Sequence, residues 1–269
     1  MKKSKALVHI PKTGGTTFAR TLKWIYGPWR CFRYNPEDPS KTCRVSDKLN
    51  DIYFSNFVLM SHSYFGVHKY IKKDIDYITI IRNPVRRYIS RYYHLKIHYP
   101  ESKGASMKLE EFCKSSHGWS KGNRLVSYIS GMDAETNSTS ALSKAKENLE
   151  RNFRIFGLTE EFDASLLLFQ RRLNWSRPPF YLSRMRSHSR PRLEDISSDV
   201  VSRIESMNRL DIKLYHFARD IFEENLDKEF ENLSEKIRHF KEKNRLFQKC
   251  ASPIVQLYNK FKHSRSQYS

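Results

Sequence analysis

The chain has 269 residues, 39% of them hydrophobic and 29% charged, which suits one substantial folded core and excludes a disordered chain. Its formal net charge of +20 favours anionic partners, among nucleic acid, acidic lipid headgroups, nucleotides and acidic glycans, without choosing between them. No stretch approaches the roughly 20 apolar residues of a membrane span.

In chain order, Lys5 to Ile10 reads as a buried strand closed by Pro11, too short and too abruptly ended for a signal peptide. The turn Pro11-Lys12-Thr13-Gly14-Gly15 leads into a helix from about Thr16 to Ile25. Tyr26 to Asp47 is expected to be irregular, broken by Gly27, Pro28, Pro36 and Pro39. Phe57 to Met60 and Tyr77 to Ile81 are short strands. Asn83 and Pro84 start a helix, as cap and first helical residue, that continues to about Ile97. After a break at Gly104 to Ser106, helices are expected over Leu109 to Lys114, Asn123 to Ile129 and Ala141 to Asn152. The strand Phe153 to Leu158 and a helix over Glu160 to Leu173 follow, with Thr159 as its cap. Ser176 to Arg192 is a loop rich in proline and arginine, and the rest is mostly helical. Strand and helix alternate through most of this length. That predicts an α/β, P-loop-like three-layer fold, with a central mainly parallel sheet flanked by helices. The domain is read as residues 1–225, with 226–269 as a basic helical C-terminal extension.

The sharpest chemical signal is His9-Ile10-Pro11-Lys12-Thr13-Gly14-Gly15-Thr16-Thr17-Phe18. A strand, a glycine turn and a helix in direct succession aim first-turn amides at whatever sits in the turn, and the helix dipole favours an anion there. Gly14 and Gly15 allow close backbone approach, Thr16 and Thr17 add hydroxyls, and Lys12 adds a full charge. The Walker A order, with lysine after the glycines, is absent. The second signal is Arg82-Asn83-Pro84-Val85-Arg86-Arg87-Tyr88-Ile89-Ser90-Arg91, where Arg82 ends a strand and Arg86 and Ser90 stand four apart on a helix. An arginine and a hydroxyl suit a phosphate monoester, whereas Arg87 and Arg91 read as a solvated basic face. The third is Ser61-His62-Ser63-Tyr64-Phe65-Gly66, which puts His62 at another strand's carboxyl end, where a histidine suits general-base work. His9 reads as structural. Cys31, Cys43, Cys113 and Cys250 lack metal-ligand spacing, so no metal is expected; Cys31 and Cys43 are near enough in sequence to close a small loop.

The run K-T-G-G-T-T resembles the 5′-phosphosulfate loop of sulfotransferases that use 3′-phosphoadenosine 5′-phosphosulfate (PAPS), and is most similar to the carbohydrate sulfotransferases, among them the heparan sulfate 2-O- and 6-O-enzymes and bacterial relatives. R-x-P-x-x-R-x-x-S-x-Y is similar to the 3′-phosphate motif of the same family, and the His62 segment to its G-H-x-x-F-G stretch, with Ser61 replacing the glycine. The resemblance extends over roughly residues 5–220, through Asn123 to Gly131, Phe153 to Leu166 and Asp211 to Tyr215. It implies PAPS as sulfuryl donor, held by Lys12, Thr13, Gly14, Gly15, Thr16 and Thr17 at one end and by Arg82 and Ser90 at the other. It implies Lys12 and His62 as catalytic residues, and a carbohydrate acceptor, expected to be anionic. It also brings Ser189 and Arg190, in the arginine-rich loop, toward the 3′-phosphate or an acidic glycan. A complete chain is expected in the cytoplasm, and one trimmed of a leader or anchor in the Golgi lumen. The basic tail suits packing on the domain, contact with acidic membrane, or assembly. A P-loop kinase would want an acidic residue for magnesium beside its loop. A nucleic-acid binder would show a recognised motif, and none is present. A non-catalytic nucleotide-binding relative differs only in dispensing with His62.

Overall fold

The computed structural model describes residues 3–34, 56–71, 74–115, 120–135, 138–182 and 193–266, with side chains described as far as residue 251. Five strands form one sheet: β1 (Ser4–Val8), β2 (Cys31–Tyr34), β3 (Val58–Ser61), β4 (Ile75–Ile81) and β5 (Phe153–Leu158), in the order β2-β3-β1-β4-β5. Every pairing is parallel. The expected mainly parallel sheet is therefore wholly parallel among the described residues.

β1 is central, and all five of its residues are buried. Its one long cation, Lys5, is accommodated because its ammonium meets Asp76 Oδ2 on the neighbouring strand at 2.8 Å. β2 lies in the stretch expected to be irregular. It has four residues, pairs on one side only, and stands just after the breakers Gly27 and Pro28, so local signals mask it.

The helices are α1 (Gly15–Tyr26), α2 (Pro84–His98), α3 (Lys103–Ser106), α4 (Leu109–Lys114), α5 (Arg124–Ser130), α6 (Ser138–Arg151), α7 (Phe162–Arg172), α8 (Ser198–Met207), α9 (Arg209–Glu229) and α10 (Leu233–Ser266). The expected break at Gly104 to Ser106 is a single helical turn, α3. The main core joins sheet residues such as Leu7, Leu59 and Ile80 to Phe18, Phe169, Leu214 and Phe222 from the helices. Each such side chain contributes about 1.5–3 kcal/mol when fully buried. A satellite core under α2, α4 and α8 holds Tyr88, Tyr92, Phe112 and Ile204. α10 lies along α7: Phe180 packs on Phe240 and Phe247, and the Tyr181 amide donates to Asn244 Oδ1 at 2.9 Å. α9 carries the chain through residue 226, with Leu226 buried in the main core. Cys31 bears a free thiol that burial pushes up to about 11.

Candidate active site

The carboxyl ends of β1, β3, β4 and β5 converge on one edge of the sheet, so the loop after β1, His62, Arg82 and Thr159 come together there although distant in sequence. The loop after β1 is tightly wound. Lys12 (φ 71°) and Gly14 (φ 80°) both adopt the left-handed region, easy for glycine and costly for lysine by about 1–3 kcal/mol. Three bonds hold this backbone in place. Thr13 Oγ1 donates to the Ile10 carbonyl at 2.9 Å, Thr159 Oγ1 to the Thr13 carbonyl at 2.7 Å, and Arg82 Nη1 to the Lys12 carbonyl at 3.1 Å. Thr13 is buried and its hydroxyl works inside the loop, whereas Thr16 is exposed and Thr17 half-buried.

α1 begins at Gly15 with no side-chain cap and no acidic residue in its first turn. A helix start so furnished, beneath a left-handed lysine and glycine, fits a phosphate or sulfate group. Thr159, expected to cap α7, instead places its hydroxyl 2.7 Å from the Thr13 carbonyl and 3.0 Å from that of Ile81, clamping the loop to β4. α7 starts after Glu161 without a side-chain cap.

His62 follows β3 directly and is exposed. Ser61 Oγ accepts from the Ser63 amide at 2.8 Å and shares a hydrogen bond with the Ser63 hydroxyl, closing a small turn around the histidine. His62 Nδ1 lies 2.9 Å from the His9 carbonyl. A carbonyl can only accept, so Nδ1 carries the hydrogen and, in the neutral ring, Nε2 keeps its lone pair. The His9 and His62 rings stack with centroids 4.2 Å apart. Burial, then the charge of His62 and that of Arg33, lower His9 to about 3, so it stays neutral.

Arg82 stands at the end of β4 with its Nε 4.0 Å from Glu160 Oε1. Glu160 also accepts from the Asn83 amide at 3.1 Å and from Tyr215 Oη at 3.3 Å. Asn83 caps α2 as expected, its Oδ1 accepting from the Arg86 amide at 3.1 Å. Of the pair expected to share a face, Arg86 is exposed and Ser90 buried.

The solvated basic face expected of Arg87 and Arg91 is not formed. Arg87 is fully buried and its Nη2 lies 3.6 Å from Asp211 Oδ2 and 3.5 Å from Asn208 Oδ1. Arg91 is half-buried, and burial, then Arg87 and Arg124, lower it to about 10. The cause is tertiary, since α8 and α9 cover this side of α2 and the Arg87 partner Asn208 is 121 positions away, with Asp211 farther still. Arg124 is not singled out by its sequence context, yet its guanidinium stacks over Tyr64 and Tyr128, 5.8 and 5.6 Å from their centroids, two residues beyond His62. Ser189 and Arg190 lie outside the described residues.

Residues 52–261 match the family described as galactose-3-O-sulfotransferase. The chain is 26% identical to heparan-sulfate 6-O-sulfotransferase 2 of Gallus gallus over 80% of its length and 66% of that protein's. It is also 26% identical to heparan-sulfate 6-O-sulfotransferase 1-B of Danio rerio, over 81% of its length and 65% of that protein's. The chain thus spans slightly less than two thirds of these relatives. Among solved structures it aligns with mouse sulfotransferase SULT7A1 complexed with PAP, at 16% identity and a TM-score of 0.39, over 79% of this chain and 66% of that one.

Proposed function

This chain belongs to the galactose-3-O-sulfotransferase family, and we propose that it moves a sulfuryl group from PAPS to a hydroxyl of an anionic carbohydrate. The observation that carries the reading is the uncapped start of α1, under a loop wound through left-handed Lys12 and Gly14, next to a histidine whose Nε2 is available as a base. The loop amides, Lys12, Thr16 and Thr17 bind the 5′-phosphosulfate, while Arg82 and Ser90 serve the 3′-phosphate. Arg82 reaches this role from a position that already braces the Lys12 carbonyl.

In the proposed step the acceptor oxygen forms a bond to sulfur as the bond from sulfur to the 5′-phosphate oxygen breaks, in line. His62 Nε2 takes the acceptor proton, and adenosine 3′,5′-bisphosphate leaves. Lys12 and the loop amides stabilise the charge that gathers on the departing phosphate oxygen. An anionic acceptor accords with the net charge of +20 and with the heparan-sulfate specificity in the relatives' names.

Calorimetric titration tests the donor site. Adenosine 3′,5′-bisphosphate should bind without metal, and Arg82→Ala should weaken it tenfold or more, by roughly the 1.5–3 kcal/mol of a charged hydrogen bond. His62→Ala should retain that binding and lose about 10²–10⁴ in turnover with a heparan-type polysaccharide. Absence of bisphosphate binding, or tighter binding of ATP with magnesium, would overturn the proposal.

A further inference from the structure

We propose that His9 is a positioning residue for His62: its ring is the platform that keeps the His62 imidazole turned with Nδ1–H on the His9 carbonyl and Nε2 toward the acceptor. The proposal rests on His62 being the base.

Four observations carry it. The two rings lie face to face, 4.2 Å between centroids and 26° between planes, so the stack fixes the plane of His62 while the 2.9 Å bond to the His9 carbonyl fixes its rotation within that plane. The two backbones are themselves locked, because the His9 amide, one residue past the end of β1, donates at 2.7 Å to the carbonyl of Ser61, the last residue of β3 and the one before His62. The His9 ring also packs tightly against Gly15, where a Cβ would stand 2.1 Å from His9 Cδ2 and 2.2 Å from Nε2. Finally, His9 is kept neutral by burial, with His62 and Arg33 as the charged groups facing it. The platform therefore adds no charge against the imidazolium that forms when His62 takes a proton.

A lone exposed histidine samples several rotamers and both neutral tautomers. Only one combination aims a bare Nε2 at a substrate while Nδ1–H is satisfied. His9 selects that combination before the acceptor arrives. A base displaced by about 1 Å loses up to about 10²-fold in rate, which sets the size of the effect.

The test uses nitrogen-15 NMR of imidazole nitrogens in the full chain with adenosine 3′,5′-bisphosphate bound, together with turnover on a heparan-type polysaccharide. In the wild type above the histidine titration, His62 should show a protonated Nδ1 and a bare Nε2. His9→Ala should average the two nitrogens and cut turnover roughly 10–100-fold, with bisphosphate affinity changed less than about twofold. His9→Phe, which keeps a flat ring, should restore both readouts. A wild-type His62 carrying its hydrogen on Nε2 would overturn the proposal, and so would unchanged nitrogen shifts in His9→Ala. A His9→Phe variant as impaired as His9→Ala would also overturn it, by showing that a ring nitrogen and not the ring face is needed. Should His9→Ala fail to fold, the wild-type spectrum and His9→Phe still decide. Full turnover in His62→Ala would defeat the base assignment itself, whereas an inactive His62→Ala beside an unaffected His9→Ala defeats only the platform.

Discussion

The two glycines of the loop after β1 do different work. A methyl group added at Gly14 would meet only an ordinary contact, 3.6 Å to Thr159 Cγ2, so glycine is needed there for its φ of 80°. Gly15 is helical and is needed because the His9 ring fills the position of its Cβ. His9 in turn makes a prediction about acid stability. Its folded value is lowered to about 3, while an exposed histidine takes its proton near 6.5. Between those limits the unfolded chain binds the extra proton. The His9 contribution is thus complete above about pH 6.5 and falls as the pH drops, at up to about 1.4 kcal/mol per pH unit. Urea unfolding at pH 7 and pH 4 should show a smaller loss for His9→Phe than for the wild type, and equal losses would contradict the assignment.

At the scale of elements, α5 and α9 cap one another. Asp211 of α9 accepts from the Leu125 and Val126 amides at 3.0 and 2.9 Å. Asn123, just before α5 and left-handed at φ 51°, accepts from the Leu210 and Asp211 amides at 3.0 and 3.3 Å. Arg87 of α2 closes the group through Asp211. Burial pushes the Asp211 carboxyl up, and Arg87 and the two amides pull against that. Asp211→Ala should strand the Arg87 charge and both amides, costing about 3–5 kcal/mol in denaturant unfolding. Arg87→Met in the same background should recover part of the loss. Simple additivity of the two substitutions would show that the pair is not coupled.

At the scale of the molecule, the parallel sheet gathers the candidate site residues on one edge while α10 packs along α7. Phe240 and Asn244 of α10 are buried, and Phe247 meets both Phe180 and Trp24. We therefore propose that the first half of α10 is structural. A chain ending at residue 232 would expose this aromatic cluster and leave the Tyr181 amide without its partner. It should melt lower by about 5 °C or more. Equal melting of the shorter chain would show that residues beyond 232 contribute nothing to the fold.

Local chemistry was readable directly from the residues. The β1–turn–α1 run, the Asn83-Pro84 start of α2 and the apolar strands β1, β3, β4 and β5 are all short-range patterns, in which backbone preference, capping and burial periodicity agree within a few positions. They sufficed for the fold class and for placing the loop after β1 and His62 at the carboxyl ends of neighbouring strands. Four features were decided only by packing. β2 owes its existence to pairing with β3, Arg87 is buried by a carboxylate on α9, Thr159 turns from a helix cap into a clamp on the loop, and His9 becomes the neighbour that orients His62. Each depends on a partner remote in sequence, and the free energy that settles it, of desolvation, ion pairing or ring stacking, exists only once the two segments meet.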